Sequence, residues 1–315
     1  MSEANPTTTL RLGTRGSLLA KTQSQLIASD LEKRHKGVIV ELVIIKTTAD
    51  QILDKPLTEF GGKGLFTKEI EQALLAGEVD LAVHSFKDVP VTQPLVEQAE
   101  LTIAAVPERE DPRDVFVSVA AKSIAELPQG AKIGTASPRR RCQLLAQRPD
   151  LSIELLRGNI DTRLRKLRDG QYDAILLAAA GLRRTGLFHE AEMVILPAEQ
   201  MLPAPGQGAL ALQCRRGDER TRQLLEGLDD PQTEACVTAE RVIVQALGGD
   251  CHSPIAALAE IEGDEMHLRA AVGARGGNPP LLRASARCPA DRNDRAVQEV
   301  LKSLAEQNVF ALLGR

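Results

Sequence analysis

Two stretches of the chain hold side chains equipped for chemistry. In HSFKD (84–88) the carboxylate Asp88 follows Lys87 at the end of the apolar run VDLAVH. A carboxylate among cations keeps a low pKa, stabilises a developing positive charge and can exchange a proton with a bound N–H. The plainer role for Asp88 is to cap the turn that follows. His84, on the apolar run itself, reads as a satisfied core histidine. In LGGDCHSPIA (247–256) the glycines allow close approach of another group, and Cys251 stands between Asp250 and His252. The acid would raise the thiol pKa, while His252 or nearby arginines would lower it. On local grounds Cys251 is an inert thiol, a reactive thiol or a metal ligand. The other cysteines (142, 214, 236, 288) are scattered without a CxxC pair and the total is odd. Neither a disulfide framework nor a structural zinc site is expected.

The basic residues fall in a pattern. TRGS (14–17), GGKG (61–64), HSFKD, TASPRRR (135–141), RGNIDTR (157–163) and GLRR (181–184) each follow a predicted strand or open a predicted helix. In parallel sheets, ligands bind beyond the carboxyl ends of the strands, where helix N-termini also present free N–H groups. Arg15, Lys63, Lys87, Arg139, Arg140, Arg157, Arg163 and Arg184 are therefore expected to converge on one cleft. Arginine's fork matches carboxylates bidentately, so a ligand with several carboxylates or phosphates is implied. The bland reading of each arginine is a solvated charge or a salt-bridge partner. For RKLRDG (165–170), the outer face of a helix, that reading is preferred.

These loops need a scaffold, and the hydrophobic pattern supplies one. Arg11 to Gly13 reads as a strand, followed by a helix capped by Ser17 with Leu19, Leu26, Ile27 and Leu31 on one face. VIVELVII (38–45) suits a strand buried on both faces, and LFTKEIEQALLAG a helix stopped by Gly77. VDLAVH is the next strand, completing a parallel α/β rhythm. A second α/β run follows: VFVSV, a Ser123–Glu126 capping box, KIG, a helix with Ser137 as cap and Pro138 first, SIELL, DTRLRKLRDG and DAILLA. LPAPGQGALALQC (202–214) breaks the rhythm with a Pro/Gly-rich crossing and a strand. Asp230-Pro231 opens a helix to Gln245, IAALAEIE and MHLRAAV form a hairpin about Gly263-Asp264, and an amphipathic helix lies near 291–306.

Composition narrows the class. At 315 residues the chain is too long for one ordinary core. With 43% hydrophobic and 26% charged residues it reads as soluble and globular. Aromatics are only 2% and Trp is absent, which argues against the stacking platforms of single-stranded nucleic-acid binders. The net charge of −4 gives no overall attraction to nucleic acid or membrane. No run approaches membrane-spanning length, and MSEANPTTTLRLG lacks a signal-peptide pattern, so a cytoplasmic location is expected.

The motifs TRGSLLA, ILDKPL, GGKGLFTKEIE, VDLAVHSFKDVP, EREDPRD (108–114), GTASPRRRCQL, LRGNIDTRL, AILLAAAGLRR, PGQGALALQCR and GGDCHSPIA are similar, in order and spacing, to those of porphobilinogen deaminase (hydroxymethylbilane synthase), a haem-pathway family. The resemblance runs from about Leu10 to Val272. It implies an α/β fold of three domains: two periplasmic-binding-protein-like α/β lobes plus a small α/β domain with a three-stranded antiparallel sheet. The expected boundaries are 7–107 with 209–227, then 113–202, then 230–315. It implies a dipyrromethane cofactor, built by the enzyme from substrate and joined to Cys251 through a thioether. Four porphobilinogen units are then added head to tail with loss of ammonia, and hydroxymethylbilane is released by hydrolysis. Loss of ammonia gives an electrophilic azafulvene, whose cation a carboxylate stabilises.

By position, the resemblance makes Asp88 catalytic. It assigns Cys251, Lys87, Ser137, Arg139, Arg140, Arg163, Ser85, Thr135 and Gly158 to the cofactor. Arg15, Ser17, Arg157, Arg184, Gln207, Lys63 and Phe66 go to the substrate, the last two in a segment like the family's active-site lid. Arg109 and Arg113 fall where interdomain salt bridges are as well placed as ligand contacts. No metal is expected, and the family behaves as a monomer. The chain departs from the family pattern at TTAD (47–50), at Glu59, at Pro138 and at Asp161; the first two remove positive charge. The competing readings are a non-catalytic two-lobed anion-binding protein, disfavoured by the third domain with its cysteine loop, and a nucleic-acid binder.

Overall fold

A computed structural model describes residues 8–47, 67–91, 100–250 and 253–314. The chain divides into two compact units, residues 1–109 with 209–234 and residues 110–208 with 235–315.

Unit 1 is a five-stranded sheet with helices on both faces. Strand β1 (Thr8–Thr14) leads through the Ser17 cap into helix α1 (Leu18–Arg34); the Ser17 hydroxyl accepts from Ala20 N at 3.3 Å. Strand β2 (Val38–Ile44), helix α2 (Lys68–Leu75), strand β3 (Leu81–Ser85) and strand β4 (Leu101–Ala105) follow. The sheet is completed by β10 (Leu210–Arg215), in the order β2-β1-β3-β10-β4. β1 pairs in parallel with β2 and β3, whereas β10 is antiparallel to β3 and β4. Period-two alternation sends Leu10, Leu12, Leu81, Val83 and Leu212 to the face covered by Ile27, Ala28 and Leu31 of α1. Ile70, Ala73 and Leu74 of α2 pack on the opposite face with Ala82 and Leu101. The chain leaves α2 at Gly77, whose φ of +69° suits a residue without Cβ.

Two expectations fail here for physical reasons. Among the described residues β2 is an edge strand paired only with β1, and Ile39 and Ile44 are exposed rather than buried on both faces. Its β-branched composition reports a preference for pleated backbone, not the number of covered faces. Leu26 is 46% exposed, one position off the buried stripe of Ile27 and Leu31.

Unit 2 repeats the pattern. Over residues 110–208 its elements are β5 (Asp114–Val117), β6 (Lys132–Gly134), α3 (Pro138–Gln147), β7 (Ser152–Glu154), α4 (Ile160–Arg168), β8 (Ala174–Ala178), α5 (Ala179–Arg184) and β9 (Met193–Ile195). The strand order is β7-β6-β8-β5-β9, with β6 parallel to β7 and β8, and β5 antiparallel to β8 and β9. Both sheets therefore have four strands running one way and a single strand, β10 or β5, running against them. Ser123 and Glu126 do exchange hydrogen bonds, hydroxyl to carboxylate at 3.0 Å and N–H to hydroxyl at 3.3 Å. They close a turn rather than open a helix.

After α6 (Glu219–Glu226) comes α7 (Pro231–Ala246), capped by Asp230, whose carboxylate accepts from Thr233 N at 2.7 Å. Strands β11 (Ile255–Glu262), β12 (Glu265–Ala274) and β13 (Asn278–Pro289) form an antiparallel sheet, the first pair joined at Gly263-Asp264. Helix α8 (Asn293–Glu306) buries Ala296, Val297, Val300 and Leu304, and a short α9 (Val309–Leu312) ends the described chain. Among the described residues no helix is long and apolar enough to cross a membrane.

Candidate active site

In unit 1 the carboxyl ends of β1 and β3 open onto a pocket of about 70 Å³ lined by Arg15, Ser17, Gln23, His84, Ser85 and Asp88, with apolar walls from Leu19, Val83 and Ile70. That is several times the roughly 10–15 Å³ a single water needs. β1 delivers Arg15 directly, and the α1 cap fixes Ser17 beside it. β3 runs into a 3-10 turn, Phe86–Asp88, anchored where Phe86 N donates to Ala209 O at 3.0 Å. This turn carries Lys87 and Asp88. Gln23, buried in α1, exchanges hydrogen bonds with the Ser85 hydroxyl at 3.1 and 3.3 Å. His84 Nε2 lies 2.8 Å from Gln213 Oε1, and Gln213 Nε2 donates to Glu71 Oε1 at 3.3 Å. Burial pushes the His84 imidazole down to about 4; Gln213 and Asp88 pull it up, Arg15 down. His84 is therefore a satisfied core histidine, as expected, and a wall of the pocket as well.

In unit 2 the focus is Asp114, wholly buried at the start of β5. Arg139 Nη1 donates to its Oδ2 at 2.7 Å and to Leu202 O at 2.7 Å. Arg140 donates to its Oδ1 through Nε at 3.2 Å and Nη2 at 2.7 Å, and to Leu176 O through Nη1 at 2.8 Å. Gln207 Nε2 adds a bond to the same Oδ1 at 2.9 Å and one to Pro112 O at 2.7 Å. Burial alone would raise the Asp114 carboxyl, but Arg139 and Arg140 outweigh it and hold it well below the usual carboxylate range. Burial lowers the Arg139 guanidinium, with Asp114 opposing. Arg139 Nε is buried without a hydrogen-bond partner among the described residues.

The remaining expected site residues of unit 2 are ordered by local bonds. Ser137 caps α3 and accepts from Arg140 N at 3.4 Å, while Thr135 Oγ1 accepts from Ser137 N at 3.2 Å. Arg163 Nε donates to Gly158 O at 2.7 Å, closing the loop before α4. Gly158 has φ of +115°, and a Cβ there would lie 2.8 Å from Thr162 Cγ2. Arg157 offers its carbonyl to Lys166 at 3.3 Å. Arg184 donates to Gly208 O at 2.8 Å, and burial lowers its guanidinium against the pull of Glu110. Arg113 forks onto Asp111, with Nε at 2.9 Å and Nη2 at 2.7 Å, and Arg109 N donates to Thr233 Oγ1 at 3.1 Å in unit 1.

Of the cations expected in the cleft, Arg15 and Lys87 thus belong to unit 1, and Arg139, Arg140, Arg157, Arg163 and Arg184 to unit 2. Lys63, Phe66 and Cys251 lie outside the described residues. Sequence reasoning missed Asp114, quoted within EREDPRD but given no role, and the pair Gln213 and Glu71. An acid opening the apolar strand VFV was the available signal for the first.

Two family models match the chain: "Porphobilinogen deaminase, dipyromethane cofactor binding domain" over residues 10–223 and "Porphobilinogen deaminase, C-terminal domain" over residues 234–306. The chain belongs to the porphobilinogen deaminase family. It is 48% identical over 294 residues to the porphobilinogen deaminase of Roseiflexus castenholzii, covering 93% of this chain and 95% of the relative. To that of a second Roseiflexus strain it is 49% identical over 269 residues, covering 85% and 87%. Among solved structures, the methionine binding protein MetQ is similar at 14% identity and a TM-score of 0.44, over 74% of this chain and 94% of that one. As a porphobilinogen deaminase the chain is a transferase of tetrapyrrole synthesis, and its larger matched region is a dipyrromethane cofactor binding domain.

Proposed function

We propose that Cys251 anchors the dipyrromethane and that Asp88 is the catalytic carboxylate for adding four porphobilinogen units, with loss of ammonia, before hydrolytic release of hydroxymethylbilane. The observation that carries this is the pocket of unit 1, in which Asp88 stands with Arg15, Ser17 and Ser85 beyond the strands' carboxyl ends. Arg15 and the two hydroxyls are suited to a carboxylate substituent of the substrate, and the Arg15 fork fixes its orientation. Asp88 then lies beside the ring that loses ammonia, where its charge stabilises the cation formed and its oxygens accept from a pyrrole N–H.

When bound, the dipyrromethane supplies the nucleophilic pyrrole α-carbon on which the chain grows. Arg139 fits such a group: its Nε is buried and lacks an acceptor among the described residues, and a carboxylate provides one. Ser137, Thr135, Arg140, Arg163, Gly158, Ser85 and Lys87 complete the cofactor set, and Arg157, Arg184, Gln207, Lys63 and Phe66 the substrate set. The three-domain division (7–107 with 209–227, 113–202, 230–315) is part of the same reading, supported by each of the three sheets falling within one segment set. So is a cytoplasmic monomer, as the family resemblance implies, and the net charge of −4 and the few aromatics disfavour nucleic-acid and membrane partners.

Intact-protein mass tests the anchor. The purified chain should exceed its sequence mass by one dipyrromethane, and Cys251→Ala should abolish the excess. A wild-type protein that stays unmodified and inactive with porphobilinogen would overturn the reading.

A further inference from the structure

The polar chain behind the unit 1 pocket has a direction. On the antiparallel strands β3 and β10, His84 faces Ala211, and Gln213 lies two residues further along on the same face, within reach of a diagonal contact. Gln213 bonds the ring on one side and Glu71 of α2 on the other. The residues are 6%, 1% and 2% exposed for His84, Gln213 and Glu71. Gln213 turns its NH2 to Glu71 Oε1 and its carbonyl oxygen, which only accepts, to the ring. Nε2 of His84 therefore carries the proton, and Nδ1 keeps its lone pair.

The glutamine in the middle matters. It transmits orientation from Glu71 to the ring without placing a negative charge against it. A carboxylate in its place would favour the imidazolium, which has no acceptor nitrogen and whose positive charge would oppose that of Asp88. The charged groups facing the ring are Asp88, from the turn after β3, and Arg15, from the loop after β1.

We propose that Glu71 and Gln213 are positioning residues that lock His84 as the neutral Nε2–H tautomer, so that the pocket holding Asp88 offers the substrate a second, uncharged acceptor at Nδ1. This rests on the reading of the pocket as the porphobilinogen site. A substrate bearing both a pyrrole N–H and an aminomethyl group has donors for two acceptors, and only one of the two then carries charge.

The test is the double variant Glu71→Gln with Gln213→Glu in the holoprotein, which keeps both hydrogen bonds and moves the carboxylate against the ring. Long-range 1H–15N spectra, with His84 signals assigned by their loss in His84→Gln, report the ring state independently of activity. The wild type should show neutral Nε2–H at pH 7, and the double variant the imidazolium. The variant's kcat should fall by about tenfold per pH unit below the new ionisation while the wild type stays flat. A wild-type ring protonated on Nδ1 would overturn the proposal even if the double variant failed to fold. So would a folded variant showing the imidazolium with a wild-type kcat–pH profile. Wild-type protein inactive on porphobilinogen would instead sink the site reading, whatever the spectra show.

Discussion

Arg140 forks onto a single oxygen of Asp114, with Nε at 3.2 Å and Nη2 at 2.7 Å, leaving the other oxygen to Arg139 at 2.7 Å. One buried carboxylate thus compensates two buried guanidinium groups, whose side chains are 5% and 8% exposed. Asp114→Asn keeps the shape and removes the charge, and should cost about 3–5 kcal/mol of stability, the penalty for breaking a buried pair from one side. Denaturant unfolding at pH 7 measures it, and a midpoint equal to the wild type's would show that the arginines do not need this charge.

Asp88→Asn is expected to leave the fold intact and lower kcat by about 10²–10⁴-fold, the range for losing a positioned proton-transfer group. Circular dichroism and the melting temperature check the fold, and the rate of ammonia release checks the chemistry. Near-normal turnover would remove Asp88 from the reaction.

His84 predicts an acid-side loss of stability. Burial holds its folded pKa at about 4, against about 6.5 in the unfolded chain. The unfolded state therefore binds the extra proton as pH falls from about 6.5 towards 4, and stability drops through that window by on the order of 2–3 kcal/mol at pH 4.5. Asp114, held below the ordinary carboxylate range, contributes stability above about pH 4 that is lost only at lower pH. Urea unfolding at pH 7 and 4.5 should show a smaller pH dependence in His84→Gln than in wild type. Equal pH dependence would mean that the ring is already charged in the fold.

Gly158→Ala introduces a side chain at φ of +115° and a Cβ 2.8 Å from Thr162 Cγ2. The backbone cost alone is about 1–3 kcal/mol. Because Arg163 Nε bonds the Gly158 carbonyl, the distortion should also disturb Arg163, and the fraction of purified protein carrying the dipyrromethane mass should fall. A melting curve and a dipyrromethane content equal to the wild type's would show that the loop adapts freely.

The strand-and-loop rhythm of both units was legible because parallel strands and capped helices write their periods locally: KIG, VDLAVH and the Ser17 and Ser137 caps stand where the residues placed them. Burial was less legible. β2 and Leu26 show that a β-branched run or a helical stripe does not say how many neighbours will cover it. The long-range polar contacts were not legible at all. Asp114 meets residues 25, 26 and 93 positions away, and Glu71 meets Gln213 across 142. The motifs found the arginines around such centres, whereas only the fold reveals the acid and amide that aim them.

The placement of β10 in the first sheet has a consequence for synthesis. Each antiparallel strand that follows a crossing, β5 in one sheet and β10 in the other, sits inside the sheet it enters, and β10 separates β3 from β4. Residues 1–109 leave the ribosome with that seat empty, and β3 and β4 gain their common neighbour only after residue 215 has been made. The second five-stranded sheet, whose strands all lie between 114 and 195, has every strand available before then. Of the two five-stranded sheets the first-made is thus the later to close, and for that interval its unpaired strand edges are the part of the nascent chain most in need of protection from aggregation.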